Sequence, residues 1–414
     1  MDFRYSSSLF TLMLLISVSL FFTAAWSLGI NYGQIANNLP NPKSVVPLLK
    51  SIGVTRLKLY DADPHVLKAF ANTGVEFIVG LGNEYLVQMK DPKQAQAWVN
   101  NNVKCYLPAT KITCIAVGNE VLTANDTTLS ANLFPAMENI HNALVSVNLD
   151  KQVMVTTAHN LGILEVSYPP SSGVFRRDLI QKLSCILDFN CKLGSPFLIN
   201  SYPYFAYKAD SKQVPLDFVL FESGSGIVDP VSGLHYENML YAQIDAVHSA
   251  LKKIGYKNVC LQISETGWPS KGDADEPGAS PENARKYNGN LLKLMSEKKG
   301  TPLNPNSDLN IYVFALFNEN MKPGPTSERN FGLFKPDGTP VYDLGFNVTG
   351  LLSSNSTGSS GGSSGGTTSP GYLPAGNPPN GYLSITADDA ERPPFHGALS
   401  ILCLMVLTML QYQL

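Results

Sequence analysis

Eight apolar runs of strand length recur along the chain, with stretches of helical character between them. The runs occupy 28–32, 55–60, 76–81, 112–117, 153–157, 197–202, 259–264 and 310–317. The amphipathic stretches lie at 42–52, 64–71, 92–103, 128–147, 236–254 and 281–298. Strands this continuously apolar are buried on both faces, as in a parallel sheet covered by helices. Eight of them in alternation predict the α/β architecture of a single closed (β/α)8 TIM barrel, over residues 28–349. The segment 203–233 breaks the rhythm and reads as an elaborated loop after the sixth strand, with 218–221 as an added hairpin.

The two ends are outside that pattern. Residues 1–27 combine a polar start carrying Arg4, a leucine-rich run and Ala24-Ala25-Trp26-Ser27, which is the layout of a secretory signal peptide. Residues 350–387 are rich in Ser, Gly and Pro, with too little apolar surface to offset their ordering entropy, and read as a flexible stalk. Small residues, a polar spacer and a terminal apolar run make 388–414 a GPI-anchor signal, removed on maturation. A transmembrane tail is the competing reading, but the apolar run is shorter than the ~20 residues a span needs. The expected location is therefore secreted and GPI-anchored to the outer leaflet of the plasma membrane, with the cell wall as a further destination.

Composition narrows the partners. The net charge is -3, and lysine and arginine are scattered rather than gathered in the basic stripe that nucleic acid requires. Aromatic side chains are plentiful, which suits a neutral carbohydrate as well as core packing. No H-E-x-x-H or C-x-x-C motif occurs, so neither metal nor cofactor is expected. Cys403 leaves with the tail, and five cysteines remain. Cys185 and Cys191 are the disulfide candidate, whereas Cys114 and Cys260 lie in apolar runs that would bury a free thiol. Sequons at Asn125, Asn347 and Asn355 suit glycosylation on exposed loops, and a monomer is expected.

In a barrel of this kind chemistry gathers at the C-terminal ends of the strands. Those ends carry Tyr32, Tyr60, Asn119-Glu120, His159-Asn160, Asn200, Tyr202, Glu265 and Asn318-Glu319-Asn320. Glu120 and Glu265 end the fourth and seventh runs. Two carboxylates facing each other across a polar, aromatic cleft are what glycoside hydrolysis needs, one as acid and one as base or nucleophile. Asn119 would then bond a sugar hydroxyl, and Trp268 would floor a pyranose ring. A surface charge or ion pair is the competing explanation for either glutamate alone.

The stretch 261–270, LQISETGWPS, resembles the signature of the plant endo-1,3-β-glucanases of glycoside hydrolase family seventeen. GINYG at 29–33, RLKLYD at 56–61, AVGNEV at 116–121, NSYPYF at 200–205 and NFGLF at 330–334 carry the same resemblance. It spans roughly residues 28–345. It implies a retaining barrel enzyme that cleaves internal β-1,3-glucosidic bonds, callose among its substrates, with Glu265 as nucleophile and Glu120 as acid/base. It also implies supporting roles for Glu319 and Glu328, with a structural ion pair as the alternative. Tyr32, Tyr60, Tyr202 and Phe334 are the implied subsite residues, and packing is the alternative for each. A non-catalytic glucan-binding protein and a β-1,3-glucan transglycosylase on the same scaffold are the rival functions.

Overall fold

A computed structural model describes residues 28–346, apart from Ser223 and Ser225. The expected signal peptide, stalk and anchor signal lie outside the described residues, as do Asn347 and Asn355.

Eight parallel strands close into a barrel, each paired with its neighbours in sequence and the first with the last. They are β1 (Leu28–Asn31), β2 (Val54–Lys58), β3 (Glu76–Leu81), β4 (Lys111–Asn119), β5 (Met154–Asn160), β6 (Phe197–Asn200), β7 (Leu261–Thr266) and β8 (Ile311–Val313). Each of the seven connections carries a main helix: α1 (Pro42–Ser51), α2 (Pro64–Ala69), α3 (Pro92–Asn102), α4 (Thr127–Ser146), α5 (Ile180–Leu193), α6 (Met239–Lys253) and α7 (Pro281–Glu297), and two shorter helices, Pro203–Ala209 and Leu216–Val219, precede α6. The expected (β/α)8 barrel is therefore the fold. Regular pairing in β8 stops at Val313, short of the eighth apolar run.

Local chemistry explains the helix starts. Asn41, Asp63, Asp91 and Ser280 each accept a backbone N–H of the first turn, and a proline follows each of them at the first helical position. Asp126 caps α4 in the same way, next to the exposed Asn125. The helix α5, absent from the periodicity reading, has no side-chain cap; it ends at Gly194 with φ +70°. The insertion after β6 also differs from expectation. Residues Leu216–Val219 are a short helix, and the hairpin lies further on, pairing Ile227–Val228 with His235–Tyr236. Its turn is set by Asp229, whose carboxylate accepts from the Val231 and Ser232 amides.

The main apolar layer lies between barrel and helices. Inside the barrel, Ile78, Cys114, Ala116, Ala158, Leu198 and Tyr312 form a smaller cluster. The cysteine and alanines leave room for long side chains, and β2 supplies two of them. Arg56 lies over the Tyr312 ring at 4.9 Å and bonds Asn310, while Lys58 rises toward the C-terminal rim.

The disulfide expectation fails. Cys185 and Cys191 are exposed free thiols on one helix, α5. Six residues of helix separate their Cα atoms by ~9 Å along the axis, more than a disulfide can bridge. Cys114 is buried and free as expected, whereas Cys260, just before β7, is exposed.

Candidate active site

Both carboxylates sit beside irregularities in the barrel. The β4–β5 register shifts between Ala116 and Asn119, and the β7–β6 register shifts between Ile263 and Glu265. Such shifts re-aim side chains that a regular ladder would direct elsewhere. At β4 the chain enters the left-handed region twice, at Gly118 (φ +69°) and at Glu120 (φ +56°). That conformation is uncommon for a residue with a Cβ and costs ~1–3 kcal/mol unless its surroundings hold it. Here the Glu120 amide bonds Ala158 O at 2.8 Å, and Asn83 clamps both backbone groups of Asn119.

Glu120 is half-buried at the rim. Its Oε1 accepts from Asn200 Nδ2 at 2.6 Å and its Oε2 from Asn160 Nδ2 at 2.9 Å. Burial, and then the Glu265 charge, push its pKa up to about 7 against those two amides and Lys58. It is poised to hold a proton.

Glu265 is 6 % exposed. Its Oε1 is bound by Lys58 Nζ at 2.7 Å and its Oε2 by the Tyr202 hydroxyl at 2.9 Å. Burial favours its neutral form, yet Lys58, a hydrogen bond from Tyr60 and the Lys322 charge outweigh it, and its pKa lies below the usual glutamate range. The two carboxyls thus occupy one polar network and are driven toward opposite charge states, the pattern that separates acid from base. Asn200 joins them: while its amide nitrogen serves Glu120, its Oδ1 accepts from Ser264 Oγ at 2.6 Å, one residue before Glu265.

The other candidate site residues fall into three groups. Tyr60, Asn119 and Tyr202 are half-buried at the rim, where a ligand could reach them. Glu319 and Glu328 are buried beneath it. Glu319 accepts from the Ile35 amide at 2.8 Å, and Glu328 pairs with Lys322 at 3.1 Å. Lys322 lies 4.4 Å over the Phe314 ring; burial opposes its charge, and the Glu328, Glu319 and Glu265 carboxylates outweigh it.

Tyr32, Trp268 and Phe334 form the third group, and for these packing prevails. Trp268 is fully buried among Tyr204, Tyr207 and Tyr287, with its indole N–H on Gly278 O at 2.9 Å. It cannot floor a sugar ring. Tyr32 packs edge-on against Phe317, and Phe334 stacks on Phe346.

The sequence reading passed over Lys58, Asn160 as a ligand of Glu120, and Lys322. The period-2 pattern of β2 would have placed Lys58 inside the barrel with Arg56.

Comparison with known proteins identifies the scaffold. The family model "Glycosyl hydrolases family 17" matches residues 28–346, the whole described span. The chain belongs to glycosyl hydrolase family 17. Among curated relatives, glucan endo-1,3-beta-glucosidase 11 of Arabidopsis thaliana is 60% identical over 350 residues, covering 84% of this chain and 82% of its own. Glucan endo-1,3-beta-glucosidase 10 of the same plant is 61% identical over 360 residues, covering 86% and 85%. Among solved structures, CJP38, a β-1,3-glucanase and allergen of Cryptomeria japonica pollen, superposes with TM-score 0.74 at 42% identity, covering 77% of this chain and 99% of its own. Membership makes this chain a glycoside hydrolase.

Proposed function

We propose that this chain is an endo-hydrolase of (1→3)-β-D-glucosidic linkages in β-1,3-glucans such as callose, working with retention of configuration. The observation that carries this reading is the shared network in which Glu120 is held toward its protonated form and Glu265 toward its ionised form. The curated relatives named glucan endo-1,3-beta-glucosidase support the linkage.

In the first step Glu120 gives its proton to the glycosidic oxygen as the bond from that oxygen to the anomeric carbon breaks, its electron pair staying with oxygen. A Glu265 carboxylate lone pair forms the new bond to the anomeric carbon. In the second step water attacks that carbon, Glu120 takes the water's proton, and the bond to Glu265 breaks to regenerate its carboxylate. Tyr60, Asn119 and Tyr202 would contact the sugar, and Glu319 and Glu328 would shape the site from beneath through the Ile35 amide and Lys322. An exported, GPI-anchored chain glycosylated at Asn125 fits a polymer too large to cross a membrane.

The test is product analysis on laminarin by chromatography and NMR. Wild type should release β-configured oligosaccharides of intermediate length, and Glu265→Ala and Glu120→Gln should lose at least ~10³-fold in kcat. Glucan binding by wild type without any cleavage would refute hydrolysis, and products longer than the substrate would indicate glycosyl transfer. The bell-shaped pH profile is expected to fall on the acid side below the usual glutamate range, as Glu265 takes a proton. On the alkaline side it should fall through about 7, as Glu120 loses one. Anchorage is checked separately by release of the protein from membranes with phosphatidylinositol phospholipase.

A further inference from the structure

Lys58 is the feature of the site that the two-carboxylate mechanism does not use. It lies on β2, inside the barrel and 1 % exposed. Burying an ammonium is costly unless it is paired and hydrogen-bonded, so its position calls for an explanation. Its Nζ is 2.7 Å from Glu265 Oε1 and 4.2 Å from the centre of the Tyr60 ring. The lysine is therefore held by a charge on one side and an aromatic face on another. Glu120 instead has its two oxygens on the neutral amides of Asn160 and Asn200, and among the described residues no cation forms an ion pair with it.

We propose that Lys58 is the positioning residue that assigns the roles: by holding Oε1 of Glu265 in an immobile charged bond, it makes Glu265 the nucleophile and leaves Glu120 as the acid. This deepens the hydrolase reading and rests on it. The clamp also selects the attacking atom. Oε1 stays on a buried ammonium, whereas Oε2 meets neutral hydroxyls, that of the half-buried Tyr202 at 2.9 Å among them, which substrate can displace. Oε2 is then the oxygen that meets the anomeric carbon.

The charged and titratable groups facing Glu265 are Lys58 and Tyr60 from β2 and its end, Glu120 after β4, Tyr202 after β6, and Glu319 and Lys322 after β8. Lys322 is the other cation among them, and it is already paired with Glu328 at 3.1 Å. Lys58 is the cation in direct contact.

The experiment measures the pH dependence of covalent labelling by an epoxyalkyl laminaribioside, with the labelled residue found by mass spectrometry. The full-length protein is used, as wild type, Lys58→Met and Lys58→Arg. Wild type should be labelled on Glu265 with a midpoint below the ordinary glutamate value of about 4.3. In Lys58→Met the midpoint should rise above that value and kcat should fall by about 10²-fold or more, because the carboxylate loses both its charge partner and its anchor. In Lys58→Arg, which keeps the charge, the midpoint should stay near that of wild type while kcat falls less. A purely structural lysine would lower kcat in both variants without moving the midpoint, and that result overturns the proposal. So does a wild-type midpoint at or above the ordinary value, which needs no variant to fold. Labelling of another residue in wild type would instead refute Glu265 as the nucleophile, and with it the mechanism on which this proposal rests.

Discussion

Asn200 shows how much a single side chain settles in this site. Its Nδ2 is 2.6 Å from Glu120 Oε1, and it is 2 % exposed, so it has no water to replace that partner. A donor to a carboxylate favours the ionised form. Asn200→Ala should therefore raise the Glu120 pKa, move the alkaline limb of the pH profile upward and lower kcat by about 10²-fold through misplacement of the acid. A kcat loss with the alkaline limb unmoved would mean that Asn200 only packs. Trp268 makes the opposite point. Its fully buried ring predicts that Trp268→Ala costs roughly 3–5 kcal/mol of stability while KM for laminarin holds in the fraction that stays folded, measured by denaturant unfolding and by kinetics at low temperature. The two carboxylates were legible because their neighbours, Val-Gly-Asn before Glu120 and Gly-Trp-Pro after Glu265, mark strand ends. Which aromatic faces a ligand was not legible. Tyr202 and Trp268 differ in exposure through contacts with Tyr204, Tyr207 and Tyr287 that sequence spacing does not encode.

At the scale of elements, the loops that follow β6, β7 and β8 are held together by one carboxylate. Glu276 is buried and bonds Lys208 at 3.0 Å, the Ser327 amide at 2.9 Å and the Asp273 amide at 2.9 Å. Asp273 in turn accepts from the Thr326 amide at 2.8 Å. This knot fixes the segment that carries Glu328, and through Lys322 it reaches the field at Glu265. Burial raises the Glu276 pKa, but the Ser327, Asp273 and Lys208 bonds outweigh it and leave it lowered. A group with a lowered folded pKa contributes stability above its unfolded value, ~4.3, and loses that contribution as pH falls through the folded value. Glu276→Gln should speed amide exchange in 203–209 and 326–329 by about tenfold or more, the equivalent of one buried hydrogen bond, and leave α1 to α4 unaffected. Unchanged exchange in both segments would show the loops to be independently folded. Helices are also where the strengths and gaps of the sequence pattern are clearest. Those with Pro at the first helical position after a capping side chain could be placed to within a residue or two. The helix α5, started by Leu179 without a cap, was invisible to the same rule.

At the scale of the whole molecule, the closed sheet couples residues 283 apart in the chain, Gly29 with Tyr312 and Ile30 with Val313. Strand β1 pairs with β8, and the buried Asn31 amide spans the closure by donating to Ser264 O at 3.1 Å and Val313 O at 3.3 Å. A barrel joined end to end has no free edge at which it could open strand by strand. Its interior should therefore become accessible only when the whole domain unfolds. Cys114 tests this directly, because it belongs to the cluster inside the barrel, and burial pushes its thiol up to about 12. Cys105, Cys185, Cys191 and Cys260 are exposed. Alkylation with iodoacetamide followed by peptide mapping should label those four in native buffer and leave Cys114 unmodified. Raising denaturant below the unfolding midpoint should speed Cys114 labelling with the full slope of global unfolding, since exposing the barrel interior exposes everything. A shallow or absent denaturant slope would mean that part of the barrel opens on its own. The weakest place for such an opening is the short β8, where regular pairing ends at Val313.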